Sequence, residues 1–129
     1  MNAVGNKNLE LSYDVLPRAT FCDPEIASVG LTEKQAREKG YDVKVGKFDY
    51  ANLTRAIVSD ETDGFIKVVA EAGSGHILGG HIVGAEASSL IHEVAAVMAG
   101  AMSVSDIGKT LHAYPTLSEG VRYACQAAT

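Results

Sequence analysis

Phe65-Ile66-Lys67-Val68-Val69-Ala70-Glu71, Ala72-Gly73-Ser74-Gly75, His76-Ile77-Leu78-Gly79-Gly80-His81-Ile82-Val83 is the stretch that decides the fold. Two runs rich in β-branched residues flank a short connector of glycine and serine, which predicts a β-hairpin. Upstream, Ala19–Cys22 and Ile26–Leu31 read as extended segments interrupted at Asp23-Pro24. Proline removes a ladder donor and biases the residue before it away from helix. Tyr41–Phe48, alternating and rich in valine, predicts another strand. Between these, Thr32-Glu33-Lys34-Gln35 has the form of a capping box, so a short helix is expected to open there and stop at Gly40. Asp49–Asp63 is polar and irregular and is expected to be the longest loop.

Downstream, Ala87–Met102 predicts a long helix. Ile91, Val94, Met98 and Met102 fall at helical spacing on one apolar face. Ser88, Ala95, Ala96, Ala99 and Gly100 make a second face of small residues, so the helix is expected to be sandwiched. Ser103-Val104-Ser105-Asp106 opens a short helix to about Leu111. Pro115 then breaks the chain, and Thr116–Ala127 reads as a terminal helix with Leu117, Val121 and Ala124 inward. This order predicts an α+β domain, a mostly antiparallel sheet with helices gathered on one face. A sheet face left bare would need cover, and a second subunit is its simplest source.

The chain has 129 residues, enough for one domain. Residues 1–12 are polar and aperiodic and read as a linker, leaving 13–129 as the domain. Eleven basic against sixteen acidic residues give a net charge of −5, with no basic run or stripe, which argues against nucleic acid or an anionic membrane as partner. No apolar stretch approaches the roughly 18 residues that span a bilayer. Two cysteines, Cys22 and Cys125, make neither a disulfide framework nor a zinc site by spacing. Both read as free, mostly buried thiols in a reduced, cytoplasmic setting. There is no G-x-G-x-x-G between strand and helix and no C-x-x-C pair, so no cofactor-binding residue is expected in this chain.

Chemistry concentrates in His112-Ala113-Tyr114-Pro115-Thr116-Leu117-Ser118-Glu119, where an imidazole, a phenol and a carboxylate stand around a proline-fixed turn at a helix start. Such a loop presents polar groups on a rigid base. Thr116 and Glu119 also fit a capping box, with Glu119 reaching back to the Thr116 amide. His76 and His81, in or beside the hairpin strands, read as structural.

Tyr114–Glu119 and Phe21-Cys22-Asp23-Pro24-Glu25-Ile26-Ala27-Ser28-Val29-Gly30-Leu31-Thr32-Glu33 resemble the C-terminal dimerisation domain of the flavin-dependent pyridine nucleotide–disulfide oxidoreductases. Asn52-x-x-Arg55-Ala56, Asp63-Gly64-Phe65-Ile66-Lys67 and Leu78-Gly79-Gly80-His81-Ile82-Val83-Gly84 match it in the same order. The similarity runs from about Tyr13 to Ala128 and points to the dihydrolipoamide dehydrogenase and mercuric reductase branches. The resemblance implies a homodimer whose loop enters the partner subunit's active site, with FAD and NAD(P) bound by other domains of the parent chain. In the family a histidine in this loop is the acid/base for a thiol pair, oriented by a glutamate. Glu119 matches that glutamate, whereas Tyr114 stands at the histidine position. Free phenol and imidazole differ by about 3.5 pKa units, roughly 5 kcal/mol in proton affinity. Tyr114 is therefore expected to donate a hydrogen bond rather than act as a neutral-pH base. His112, two residues upstream, is a weaker candidate for the base, because an offset of two in a tight turn points elsewhere.

Tyr114 and Glu119 are thus the expected catalytic-loop residues, with no metal site. The Ser118-Glu119-Gly120-Val121 continuation resembles mercuric reductases, although their paired terminal cysteines are absent. The matching region starts in what resembles the tail of a flavin-binding domain, which favours a fragment of a longer enzyme, inactive by itself. The rival reading is a stand-alone, non-catalytic homodimeric scaffold, or a module binding metal through Tyr114, His112 and Cys125.

Overall fold

The structure, a computed structural model, describes residues 13–129; the segment 1–12, read above as a linker, lies outside the described residues. Among the described residues five strands, β1 (Arg18–Thr20), β2 (Ile26–Gly30), β3 (Val43–Asp49), β4 (Phe65–Glu71) and β5 (Ile77–Val83), form one sheet in the order β1-β2-β5-β4-β3. Every neighbouring pair is antiparallel. The central hairpin sets the register, with Phe65 opposite Val83 and Val68 opposite Gly80, and an irregularity between Val69 and Ala70. Gly75 closes its turn at φ +72, a conformation that favours glycine.

Around the sheet lie the helices α1 (Glu33–Glu38), α2 (Thr54–Ser59), α3 (Ala87–Ala99), α4 (Val104–Lys109) and α5 (Glu119–Ala127). One sheet face presents Ala27, Val29, Ile66, Val68, Ala70 and Ile82 to Leu90, Ile91, Val94 and Val97 of α3 and to Val121 and Ala124 of α5, all in one buried cluster. This is the expected α+β arrangement, with α2, α3, α4 and α5 gathered on that side. Alternation along β4 sends Val69 the other way, where it joins Val43 and Ala36 in a second, smaller cluster. Helix α1 thus covers part of the opposite face, and Lys67 pairs with Glu33 there at 2.9 Å. Gly79 and Gly80 make both approaches possible. A Cβ on Gly80 would lie 2.7 Å from Val94, and one on Gly79 would lie 2.1 Å from the Leu31 carbonyl.

Two of the three expected capping boxes close in full. Thr32 and Gln35 exchange bonds of 3.0 and 3.2 Å at the start of α1, and Ser103 and Asp106 exchange bonds of 2.9 and 3.3 Å at the start of α4. Other boundaries need correction. The segment Asp49–Asp63 is not a plain loop, since a 3₁₀ turn (Tyr50–Asn52) and α2 occupy it. Tyr50, Leu53 and Ala56, three residues apart, are each at most 1% exposed, and this triplet pins an otherwise polar segment to the core. Helix α3 stops at Ala99 rather than Met102. Ala101 takes a left-handed conformation (φ 51), and the amides of Ala101 and Met102 turn back to the carbonyls of Met98 and Val97, a Schellman stop. Met102 is therefore exposed instead of lining the apolar face. Helix α4 ends at Lys109, and β5 starts at Ile77, with His76 in an isolated bridge to Ser103. No helix among the described residues is long and apolar enough to cross a membrane.

Candidate active-site loop

The loop 110–118 joins α4 to α5, and the packing of these two helices fixes its ends. Gly120 lets α5 start deep: a Cβ there would lie 2.5 Å from Ile66 and 3.0 Å from Leu53. The helix begins at Glu119 rather than at Thr116, while Leu117, Val121 and Ala124 face inward as expected. The Tyr114–Pro115 peptide is cis.

Glu119 is 5% exposed, the one buried charged residue among the described residues. The Thr116 amide donates to its Oε2 at 3.0 Å, the half of the capping pattern that the sequence predicts. The reciprocal half is absent. The Thr116 hydroxyl instead donates to the Ala113 carbonyl at 2.8 Å, tightening the turn below Tyr114. The Tyr123 hydroxyl approaches Glu119 Oε1 at 3.4 Å. A buried carboxylate in this position is stabilised by the amide it accepts from and by the positive end of the helix it begins.

Tyr114 behaves oppositely. Its side chain stands out from the turn, 71% exposed, and its hydroxyl donates to Thr54 Oγ1 of α2 at 3.3 Å. His112 does point elsewhere, inward to α3: Nε2 lies 2.7 Å from Glu93 Oε1 and Nδ1 3.1 Å from the Thr110 carbonyl. Ser118 donates its hydroxyl to the other oxygen of Glu93. From His112 to Glu119 the polar side chains of His112, Thr116, Ser118 and Glu119 are bonded within the domain, and the exposed one is Tyr114. Beside it a groove of about 270 Å³ runs between Arg55, Glu86, Leu90 and the loop residues Pro115–Ser118.

Two partners in this arrangement escaped sequence reasoning, Glu93 and Thr54. Glu93 carried a signal: it lies between Leu90 and Val97, three and four residues away on the buried side of α3, where a carboxylate needs a partner. Thr54 carried none, because its segment read as loop. The cysteines divide. Cys125 is buried as expected, and burial, helped by the charge of Glu93, pushes its thiol up to about 12. Cys22 is exposed, contrary to expectation, because the Asp23-Pro24 interruption keeps that turn at the surface. Among the described residues no group of three or more His, Cys, Asp or Glu side chains could hold a metal ion.

Residues 16–125 match the family model described as pyridine nucleotide-disulphide oxidoreductase, dimerisation domain. The chain is 40% identical over 126 residues to dihydrolipoyl dehydrogenase of Bacillus subtilis, covering 98% of this chain and 27% of that protein. It is 42% identical over 123 residues to a mercuric reductase of Lysinibacillus sphaericus, covering 95% of this chain and 22% of that protein. Among solved structures, the HOCl-induced flavoprotein disulfide reductase RclA of Escherichia coli superposes with a TM-score of 0.88 at 25% identity, over 99% of this chain and 30% of that one. LpdA of Mycobacterium tuberculosis superposes with a TM-score of 0.87 at 26% identity, over 97% of this chain and 27% of that one. The chain spans about a quarter of the length of the curated relatives it matches. It belongs to the dimerisation-domain family of the pyridine nucleotide-disulphide oxidoreductases.

Proposed function

We propose that residues 13–129 pair two copies of a cytoplasmic reductase that binds FAD and NAD(P) through its other domains, and that the Tyr114–Glu119 loop of each copy completes the active site of its partner. The parent reaction passes electrons from reduced nicotinamide through flavin to a disulfide or a thiol-bound acceptor. The observation that carries this reading is the division of labour in the loop: Tyr114 projects while its polar neighbours are bonded inward. Tyr114 acts as a hydrogen-bond donor to the acceptor, and Glu119 holds the turn that presents it. On the outer face of α3, Ser89, His92, Ala96 and Ala99 are exposed and, His92 apart, small, a surface suited to close self-association. A stand-alone scaffold or metal module fits less well, since the relatives are named as oxidoreductases and Cys125 is buried with a raised thiol pKa.

The test uses the full-length flavoprotein carrying Tyr114→Ala. Reduction of flavin by the nicotinamide needs no partner loop and is expected to stay within about twofold. Turnover of the acceptor is expected to fall at least about tenfold, the worth of one lost hydrogen bond of about 1.4 kcal/mol in the transition state. Equal effects on both half-reactions, or none on either, would overturn the assignment.

A further inference from the structure

We propose that Glu93 is a positioning residue that ties both sides of the Tyr114 turn with one ionised carboxylate, and that His112 is held there as an imidazolium. The inference follows from counting protons. The Thr110 carbonyl can only accept, so Nδ1 of His112, 3.1 Å away, must carry a hydrogen. A neutral imidazole has one N–H. With that hydrogen spent on Thr110, a bare Nε2 would aim its lone pair at a carboxylate oxygen 2.7 Å away, which is repulsive. One more proton must lie on the Nε2–Oε1 line. Free imidazole holds a proton more strongly than a free carboxylate by about two pKa units, so it rests on nitrogen. The 2.7 Å separation lies in the range of charge-assisted N–H···O bonds.

The two oxygens of Glu93 then serve two ends of one loop. Oε1 takes His112, two residues before Tyr114, and Oε2 takes Ser118, four residues after it. The His112 side chain is 9% exposed and that of Glu93 26%, so the pair is screened far less than a surface ion pair. Inside this outer tie, Thr116 bonds Ala113 and Glu119 bonds Thr116. The carboxylate on α3 thereby fixes the direction in which the exposed Tyr114 ring points. The loop is the one that the proposed function places in a partner's site. The test below reads only the chain's own imidazole and amides, so its failure is separate from failure of that reading.

The experiment is ¹⁵N nuclear magnetic resonance of the purified chain at neutral pH, with Glu93→Gln and Glu93→Ala beside the unaltered sequence. In the unaltered chain both ring nitrogens of His112 are expected to carry protons. In Glu93→Gln the carboxamide can donate to Nε2 and still accept from Ser118, so His112 is expected to become neutral, with its proton on Nδ1 only. Exchange of the Thr116 amide is then expected to stay within about threefold. In Glu93→Ala both ties are lost, and that amide is expected to exchange at least about tenfold faster while amides of β4 and β5 change by less than twofold. A neutral His112 in the unaltered chain, a doubly protonated His112 in Glu93→Gln, or unchanged Thr116 exchange in Glu93→Ala would each overturn the proposal. Should Glu93→Ala fail to fold, the first two measurements still decide it.

Discussion

Replacing Glu119 by alanine separates what this carboxylate does for the fold from what it does for presentation of the loop. The side chain is 5% exposed and receives the Thr116 amide at 3.0 Å. Truncation leaves that amide without its acceptor, and a hydrogen bond to a charged group contributes about 1.5–3 kcal/mol. The Tyr123 hydroxyl, at 3.4 Å, adds little because hydrogen bonds weaken steeply at such length. Loss of an acidic group from the first turn of α5 removes about 0.3–1 kcal/mol more. Relief of the carboxylate's own desolvation works in the opposite direction, so the expected net loss is about 2 kcal/mol. For a domain of this size that lowers Tm by about 8 °C. Glu119→Gln keeps an acceptor for Thr116, and its amide group can meet the Tyr123 hydroxyl as a donor; its expected loss stays below about 1 kcal/mol. Denaturant unfolding followed by circular dichroism, with m unchanged across the series, measures both. Were alanine to lose less than about 0.5 kcal/mol, or glutamine as much as alanine, the account of Glu119 as the acceptor that holds the turn would be wrong.

Cys22 is exposed and Cys125 buried, so a thiol reagent should label one cysteine quickly in the native chain and the second only on unfolding. Because the folded Cys125 pKa is raised to about 12, the stability it contributes is full below the unfolded thiol value near 8.5 and is lost as pH rises above it. The slope is about 1.4 kcal/mol per pH unit until tyrosines also ionise, and Cys125→Ala should remove it. On the acid side, Asp106 is held below the usual carboxylate range by Ser103, and Glu33 by Lys67 and then Arg37. Their contribution is present above about pH 4 and lost as pH falls through the folded values. Asp106→Asn should therefore flatten the acid limb of a stability-against-pH curve, and an unchanged limb would count against its capping role.

What could be read from residues alone divides along the range of the forces involved. The Phe65–Val83 hairpin, the boxes at Thr32 and Ser103, and the inward set Leu117, Val121 and Ala124 depend on neighbours within a few positions, and all appear as expected. The region Tyr50–Ser59 does not read as helical from its residues because its helicity is not local. Tyr50 reaches Ala85 with a 2.8 Å hydrogen bond, and Leu53 meets the space above Gly120, contacts 35 and 67 residues away. The early end of α3 is a different failure: the left-handed stop falls on Ala101, one residue past the glycine that usually marks it. At the site, Glu119 and Tyr114 stood out by spacing, but the Glu93–His112 pair spans 19 residues and two elements, beyond what periodicity reports.

The phenol at position 114 and the imidazole at position 112 offer different groups to their surroundings. The histidine–carboxylate pair of this loop faces inward: His112 meets Glu93 with its side chain 9% exposed, and Ser118 bonds the other carboxylate oxygen. A group so enclosed is a poor proton carrier for an acceptor outside the chain, because it must leave both Thr110 and Glu93 to reach one. The exposed phenol has the reverse properties: it reaches outward and presents an O–H donor. If Tyr114 faces an acceptor as proposed, the loop stabilises developing negative charge there by hydrogen bonding and leaves proton removal to another group. Under the proposed function, substituting histidine for Tyr114 should therefore introduce a pH-dependent step near the ordinary imidazole range, about 6.5, that the unaltered enzyme lacks. A profile of acceptor turnover with the same step in both forms would show that a base other than residue 114 already governs the reaction.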